Sequence, residues 1–238
     1  MPKLQIGNLA VEVVRKNIKN LHLAIYPPNG RVRVSVPLRV GNEAVRLAVA
    51  TRLGWIRRQQ KKLASQERQS PREYVSRESH YFLGRRYLLN IVSHEGFARI
   101  VVNKAPVIDL HVRRSVTRSG RERIVQEWYR RELKALIPPL IAKWEAIIGV
   151  TIAHWGVKKM RTRWGTCNPN ARRIWINLEL VKKPVGCLEY IVVHEMVHLV
   201  ERKHNENFIA HMDKLLPEWR SVKDQLNSFP LRHERWDY

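Results

Sequence analysis

Two histidines, His194 and His198, enclose Glu195-Met196-Val197 within an otherwise apolar stretch. Leu188, Ile191, Val192 and Leu199 recur around them at helical spacing, so the segment reads as a buried helix. Residues four apart on a helix share a face, and both imidazoles therefore project from one side. From there they can share a divalent metal at roughly 2.0–2.1 Å. Glu195 is turned about 100° from His194, which lets it reach a metal-activated water without being a ligand. Its task would be to take the proton of that water and pass it to the leaving group.

A third ligand is needed, and two residues compete for the place. His204 follows His198 by six residues, so on a continuing helix it would point away from the metal and sit roughly 9 Å further along the axis. It can bind only if the helix ends near Glu201 to Lys203 and the chain turns back. Glu218 is the rival, twenty residues past His198. His204 is favoured as the nearer residue and a usual zinc ligand. The spacing of His194, His198 and His204 is that of the three-histidine metalloproteases, but those carry glycine where this chain has Glu201. His211 reads as a surface or core-edge histidine. Asn177, Asp213 and Glu201 are all available to accept the second N–H of a ligand histidine, and the sequence does not choose among them.

The rest of the chain supplies the frame. Val11 to Val14, Leu21 to Tyr26 and Arg31 to Val36 read as strands, the last alternating strictly, with Pro27-Pro28-Asn29-Gly30 as a turn. From Asn42, a possible cap, the period becomes helical through Val45, Val49, Leu53, Ile56 and Leu63. Tyr81 to Val92 and Arg99 to Val102 read as strands again. Between Pro106 and Gly120 the apolar pattern weakens, which suggests a boundary near residue 110. Arg121 to Gly149 is helical but interrupted by Pro138-Pro139, hence two helices or one broken one. Arg173 to Leu178 resembles a short strand. Leu188 to Arg202 and Asn207 to Leu216 read as helices, the latter ended by Pro217. These readings predict an α+β protein. Residues 1–110 would be a β-rich region with one helix, and residues 111–238 a mainly helical domain with a short strand.

The 238 residues are enough to bury a core without disulfides, and the two cysteines make no disulfide scaffold. No run is long and apolar enough for a transmembrane helix and no secretory leader is evident, so a cytoplasmic protein without a membrane partner is expected. Forty-four Lys and Arg against 21 Asp and Glu leave a net charge of +23. That excess predicts attraction to polyanions. Arg52, Arg57, Arg58, Lys61 and Lys62 form one acid-free run and Lys158 to Arg163 another, which raises nonspecific nucleic-acid binding as a second role.

Met160-Arg161-Thr162-Arg163-Trp164-Gly165-Thr166-Cys167, then Ile176-Asn177-Leu178, Tyr190 through His198, His204 and Phe208 together resemble the YgjP-like metal-dependent hydrolases. Those are relatives of the SprT and WLM zinc-peptidase groups. Trp55-Ile56 and Phe82-Leu83-Gly84-Arg85-Arg86-Tyr87 are similar to the family's N-terminal motifs, so the resemblance spans nearly the whole chain. It implies one zinc per chain on His194, His198 and His204, Glu195 as general base, and a zincin-like domain. Members are mostly described as metallopeptidases, and a nucleotide pyrophosphohydrolase activity on UTP has also been attached to the family.

Around the metal motif, Trp164 is read as packing, Gly165 as permitting a turn and Cys167 as a small buried apolar residue. Tyr190 reads as packing beneath the ligand face. Arg161 and Arg163 are the candidates to line the cleft and meet a carboxylate, a phosphate or a developing oxyanion. Three functions follow. The favoured one is a zinc-dependent peptidase acting on polypeptide. The alternatives are a nucleoside triphosphate pyrophosphohydrolase, and a basic nucleic-acid-binding module with a structural zinc. The last is disfavoured because structural sites usually close with four protein ligands.

Overall fold

The computed structural model describes residues 3–26, 30–65, 72–160 and 163–228. Arg161, and Pro27 to Asn29 of the expected turn, lie outside the described residues. The described chain falls into two compact units, one within residues 1–71 and one spanning 72–228. The boundary suggested near residue 110 therefore lies inside the second unit.

In the first unit, β1 (Lys3–Ile6), β2 (Leu9–Lys16), β3 (His22–Tyr26) and β4 (Arg31–Pro37) form a sheet in the order β1-β2-β4-β3. Alternation in β4 works as expected: Val32, Val34 and Val36 are buried, and Val11 and Val13 of parallel β2 pair with the first two. Helices α1 (Asn42–Ala50) and α2 (Leu53–Ser65) close this core with Val45, Val49 and Ile56. Two helices stand where one was expected. Asn42 is not the cap of the first; Gly41 is, and the Asn42 Oδ1 accepts from Arg15 instead. On the opposite sheet face, Glu12 bridges Arg31 and Arg33 at 3.0 Å each.

The second unit begins with β5 (Ser79–Phe82), β6 (Arg85–Ser93), β7 (Arg99–Val102) and β8 (Val107–Val112), ordered β5-β6-β8-β7. β8 occupies the stretch where the apolar pattern had seemed to fade. Ile108, Leu110 and Val112 alternate inward, while Asp109 and His111 face outward and dilute the signal. This sheet docks on the long helix α3 (Arg118–Ile148): Phe82 packs on Trp128 at 4.8 Å between centroids, and the Tyr129 hydroxyl donates to the Tyr81 carbonyl at 2.8 Å. Those contacts put the boundary before β5.

α3 runs unbroken through Pro138 and Pro139. Each proline removes an intrahelical N–H donor, but Leu133, Ile137, Ile141 and Trp144 are buried on both sides of the pair and hold the register. The helix ends at Gly149, which takes the left-handed conformation at φ 76°. A three-stranded sheet follows, with β9 (His154–Lys158), β10 (Gly165–Asn168) and β11 (Arg173–Asn177) in the order β10-β11-β9. A 3-10 turn, Leu178–Lys182, leads into α4 (Val185–Val197), α5 (Glu206–Leu215) and α6 (Trp219–Ser228).

α4 carries the histidine motif and is apolar nearly all round: Leu188, Ile191, Val192, Val193, Met196 and Val197 are all buried. Such a helix belongs inside a core. Two neighbours fix it lengthwise. Lys143 and Trp144 of α3 both donate to the Glu189 carboxylate, at 2.7 and 3.0 Å. At its start, the β5–β6 turn lies against Pro184, and the Leu83 amide donates to the Val181 carbonyl at 2.8 Å. Gly84 has φ +82°, and a Cβ there would come within 2.8 Å of the Pro184 ring, so the turn needs glycine on both counts. Among the described residues, no helix is long and apolar enough to cross a membrane.

Candidate metal centre

α4 ends at Val197 with His198 as its cap, a few residues earlier than the pattern suggested. The last amides bond tightly, Leu199 to the Met196 carbonyl and Val200 and Glu201 to that of Val197, and the chain then turns back. No glycine is used. The Glu201 carboxylate accepts from the Lys203 amide at 3.0 Å and from the side chains of Asn205 and Asn207, bonds that hold it below the usual carboxylate range. An acidic side chain thus organises the turn for which three-histidine proteases use a glycine.

This turn brings His204 back over the helix. One ring nitrogen from each of His194, His198 and His204 lies within 4.8 Å of the others, and the Nε2 atoms of His194 and His204 are 3.0 Å apart. Glu218 is not in this cluster; it is exposed in the turn before α6. All three imidazoles rest on Phe208 of α5, with centroids 5.0, 4.8 and 4.7 Å from its ring. Asn205 caps α5 by accepting from the Phe208 amide at 3.0 Å, and so sets the position of this floor. In the sequence Phe208 stands out only through the family resemblance. The spacing Asn-x-x-Phe directly after His204 carries the signal for its role.

The residues fit a divalent cation. Tetrahedral bonds of 2.0–2.1 Å put ligand nitrogens roughly 3.3 Å apart, close to the 3.0 Å between His194 and His204. His198 has its Nδ1 3.0 Å from the Glu201 carbonyl, so Nδ1–H donates there and Nε2 keeps its lone pair. Of the three possible partners for a ligand histidine, Glu201 serves, through its backbone. Asp213 instead accepts from Trp219 and Arg220, which ties α5 to α6. The buried Nδ1 of His194 has no partner among the described residues. Burial, then the nearby His198 and His204, push the His194 imidazole down to about 3, so it stays neutral and able to coordinate. His204 is lowered for the same reasons, with Lys223 adding to the effect.

Glu195 is only 6% exposed and lies against β10. A Cβ on Gly165 would fall 2.5 Å from its Oε1 and 2.7 Å from its Cγ. Gly165 thus sits in a strand and serves by close approach, not by permitting a turn. Burial pushes the Glu195 carboxyl up to about 7, against an opposing pull from Arg163. A cation in the triad would draw that value down.

The open cleft above these groups measures about 760 Å³. β10 forms one wall, and Arg163, Arg202 and Lys223 supply positive charge, while Glu195 is the lone carboxylate among the described lining residues. Arg163 is held from behind by Asn177, whose Nδ2 donates to the carbonyls of Arg163 at 2.7 Å and Met160 at 2.9 Å. Asn177 therefore positions this arginine segment rather than a metal ligand. Arg202 and Lys223 were not anticipated, since only the folded turn and α6 bring them here. Cys167 lines the cleft half-buried, its thiol pushed up to about 11 by burial and by Glu195, which leaves it a poor nucleophile. Tyr190 meets His194 edge-on at 5.8 Å and stacks on Trp219, and burial pushes its phenol up to about 12, consistent with packing. Trp164 packs under Lys183, whose Nζ is 5.8 Å from its ring.

Three clustered imidazoles beside a buried glutamate in an open cleft belong to the chemistry of metal-dependent hydrolases. The sequence profile of the YgjP-like metallopeptidase domain matches residues 19–229, and the chain belongs to that family. No match is found among curated proteins. Among solved structures, the metallopeptidase zymogen abylysin of Pyrococcus abyssi is similar over 39% of this chain and 96% of that one. The identity is 16% and the TM-score 0.36, too low a likeness to carry an argument.

Proposed function

We propose that this metal-dependent hydrolase is a zinc peptidase, with His194, His198 and His204 as the ligands and Glu195 as general base. The donor set supports zinc, for which imidazole is a preferred partner and three protein ligands the usual catalytic number. Bound there, zinc would supply a Lewis acid and acidify water at the reaction centre.

The observation that carries the peptidase reading is β10. It is the edge strand of its sheet, its residues line the cleft, and Glu195 lies directly against its first residue. An extended polypeptide can add to such an edge through main-chain hydrogen bonds, which would hold a peptide group beside Glu195. Glu195 then takes a proton from the attacking water and returns it to the leaving nitrogen, a task suited to a buried carboxylate beside the metal centre. Arg163 faces the developing negative charge.

The three cleft cations favour a second reading, hydrolysis of a nucleoside triphosphate. A single carboxylate among the described lining residues argues against it, since Mg²⁺-nucleotide sites normally use one or two carboxylates. Mass spectrometry of zinc-loaded protein with unfolded polypeptides and nucleoside triphosphates separates the readings. New peptide termini are expected, absent with Glu195→Gln. That variant should retain one zinc per chain and lose about 10²–10⁴-fold in turnover. Release of monophosphate and pyrophosphate without peptide cleavage would overturn the peptidase assignment, and full turnover by Glu195→Gln would overturn the role of Glu195.

A further inference from the structure

The acid-free run that begins at Arg52 belongs to the unit that does not carry the histidine cluster, and it sits in the most highly charged part of the chain. Residues 1–71 hold 14 Lys and Arg against three Asp and Glu, a net +11 of the total +23 in under a third of the length. Two of those three acids are already engaged, Glu12 by Arg31 and Arg33 and Glu43 by Arg46. The third, Glu67, lies outside the described residues. Arg52, Arg57, Arg58 and Lys61 are exposed and take part in no salt bridge among the described residues.

The first of these cations, Arg52, lines a pocket of about 390 Å³ at the free edge of β3 together with Leu21, His22, Leu23 and Trp55. Trp55 is 40% exposed there, in the first turn of α2. Trp55 and Arg58 stand three residues apart on α2, which puts them on one side of it, and Arg52 stands three residues before Trp55 in the turn that leads into the helix. A half-exposed indole with a guanidinium group in the same pocket and further cations along the same helix fits a ligand with flat faces joined by negative charges. Single-stranded nucleic acid is that ligand, because its bases are free to stack while its phosphates track a basic surface. A duplex keeps its bases stacked on each other, and an anionic membrane offers no ring to an indole.

We propose that the first unit binds single-stranded nucleic acid, with a base stacked on Trp55 in the pocket at the β3 edge and phosphates held by Arg52, Arg57, Arg58 and Lys61.

The test is fluorescence anisotropy of a labelled 15-mer of thymidylate with the full chain, from 50 to 200 mM NaCl. Its readout is independent of any hydrolytic activity. Four phosphate contacts predict a loss of affinity of about 50-fold over that range. Trp55→Ala should weaken binding by about 5- to 100-fold with the salt slope unchanged, and Trp55→Phe should restore most of it. Arg52→Glu with Arg58→Glu should weaken binding at least tenfold and flatten the slope. Lys104→Glu, an exposed charge in the second unit, should change affinity less than twofold. The proposal is overturned if Lys104→Glu weakens binding as much as Arg52→Glu with Arg58→Glu, if Trp55→Ala and Trp55→Phe both bind as wild type, or if duplex or anionic vesicles bind as tightly as the single strand.

Discussion

At the scale of single residues, the centre depends on atoms that are missing as well as on those present. Gly165 leaves the space that Glu195 fills. Adding one methyl in Gly165→Ala puts carbon 2.5 Å from Oε1, and since Glu195 is buried, the carboxylate must shift rather than swing into solvent. Displacement of about 1 Å is enough to cost up to 10²-fold in rate. Gly165→Ala is therefore expected to bind zinc normally while losing about 10- to 100-fold in turnover, measured with metal content on the same sample. Unchanged turnover would mean that the proton is handled elsewhere.

Lys183 illustrates a different residue-scale constraint. It is 6% exposed at the end of the 3-10 turn before α4, and burial pushes its ammonium down to about 8 from an ordinary 10.5, against the attraction of Glu179. Between those values the unfolded chain binds more protons than the folded one, so this residue makes stability rise with pH across that window. Below pH 8 the burden of a buried charge is felt in full; above 10.5 it is gone. Lys183→Met should thus be more stable than wild type at pH 7.5 by about 1–3 kcal/mol, with the gap closing by pH 10.5. Urea unfolding midpoints at both pH values measure this, and a gap independent of pH would contradict it.

At the scale of elements, local periodicity is enough for some and not for others. The helix of the histidine motif was legible because its apolar residues dictate burial and its two histidines dictate a face. β4 and β11 were legible from β-branched alternation. The misses share a cause, which is that distant contacts decide them. β10, Gly165-Thr166-Cys167-Asn168, has no alternation of its own and is a strand because β11 pairs with it from Ile176 to Arg173. α3 continues through Pro138-Pro139 because residues buried on either side anchor it, whatever its local propensity. The turn after His198 lacks its expected glycine because a carboxylate replaces it, a substitution visible only once Glu201, Lys203, Asn205 and Asn207 are seen together. Likewise Arg202 and Lys223 reach the cleft from separate elements, so no spacing relates them to His194. Charge was legible as a total, while its concentration in the first unit required knowing that the chain divides before β5 and not near residue 110.

At the scale of the whole molecule, the two units divide the chemistry. Each has a core of its own, the first around Val11, Val34 and Val49, the second around α3 and α4. All three histidines, Glu195 and their supports lie in residues 72–228, whereas nearly half the net charge lies before residue 72. Metal should therefore act locally. The three histidines proposed to hold it join α4 to the turn that follows, and that turn is otherwise held by a few hydrogen bonds at Glu201 and Asn205. A ligand present at 100 times its dissociation constant stabilises the state that binds it by about 2.7 kcal/mol. That is enough to slow opening of the turn about a hundredfold. Hydrogen–deuterium exchange with zinc, compared with chelator, should show that slowing across residues 194–208 and no change across 3–65. His204→Ala should abolish the difference. Protection spread evenly over both units, or a response to zinc that survives His204→Ala, would mean that the metal is held somewhere other than this triad.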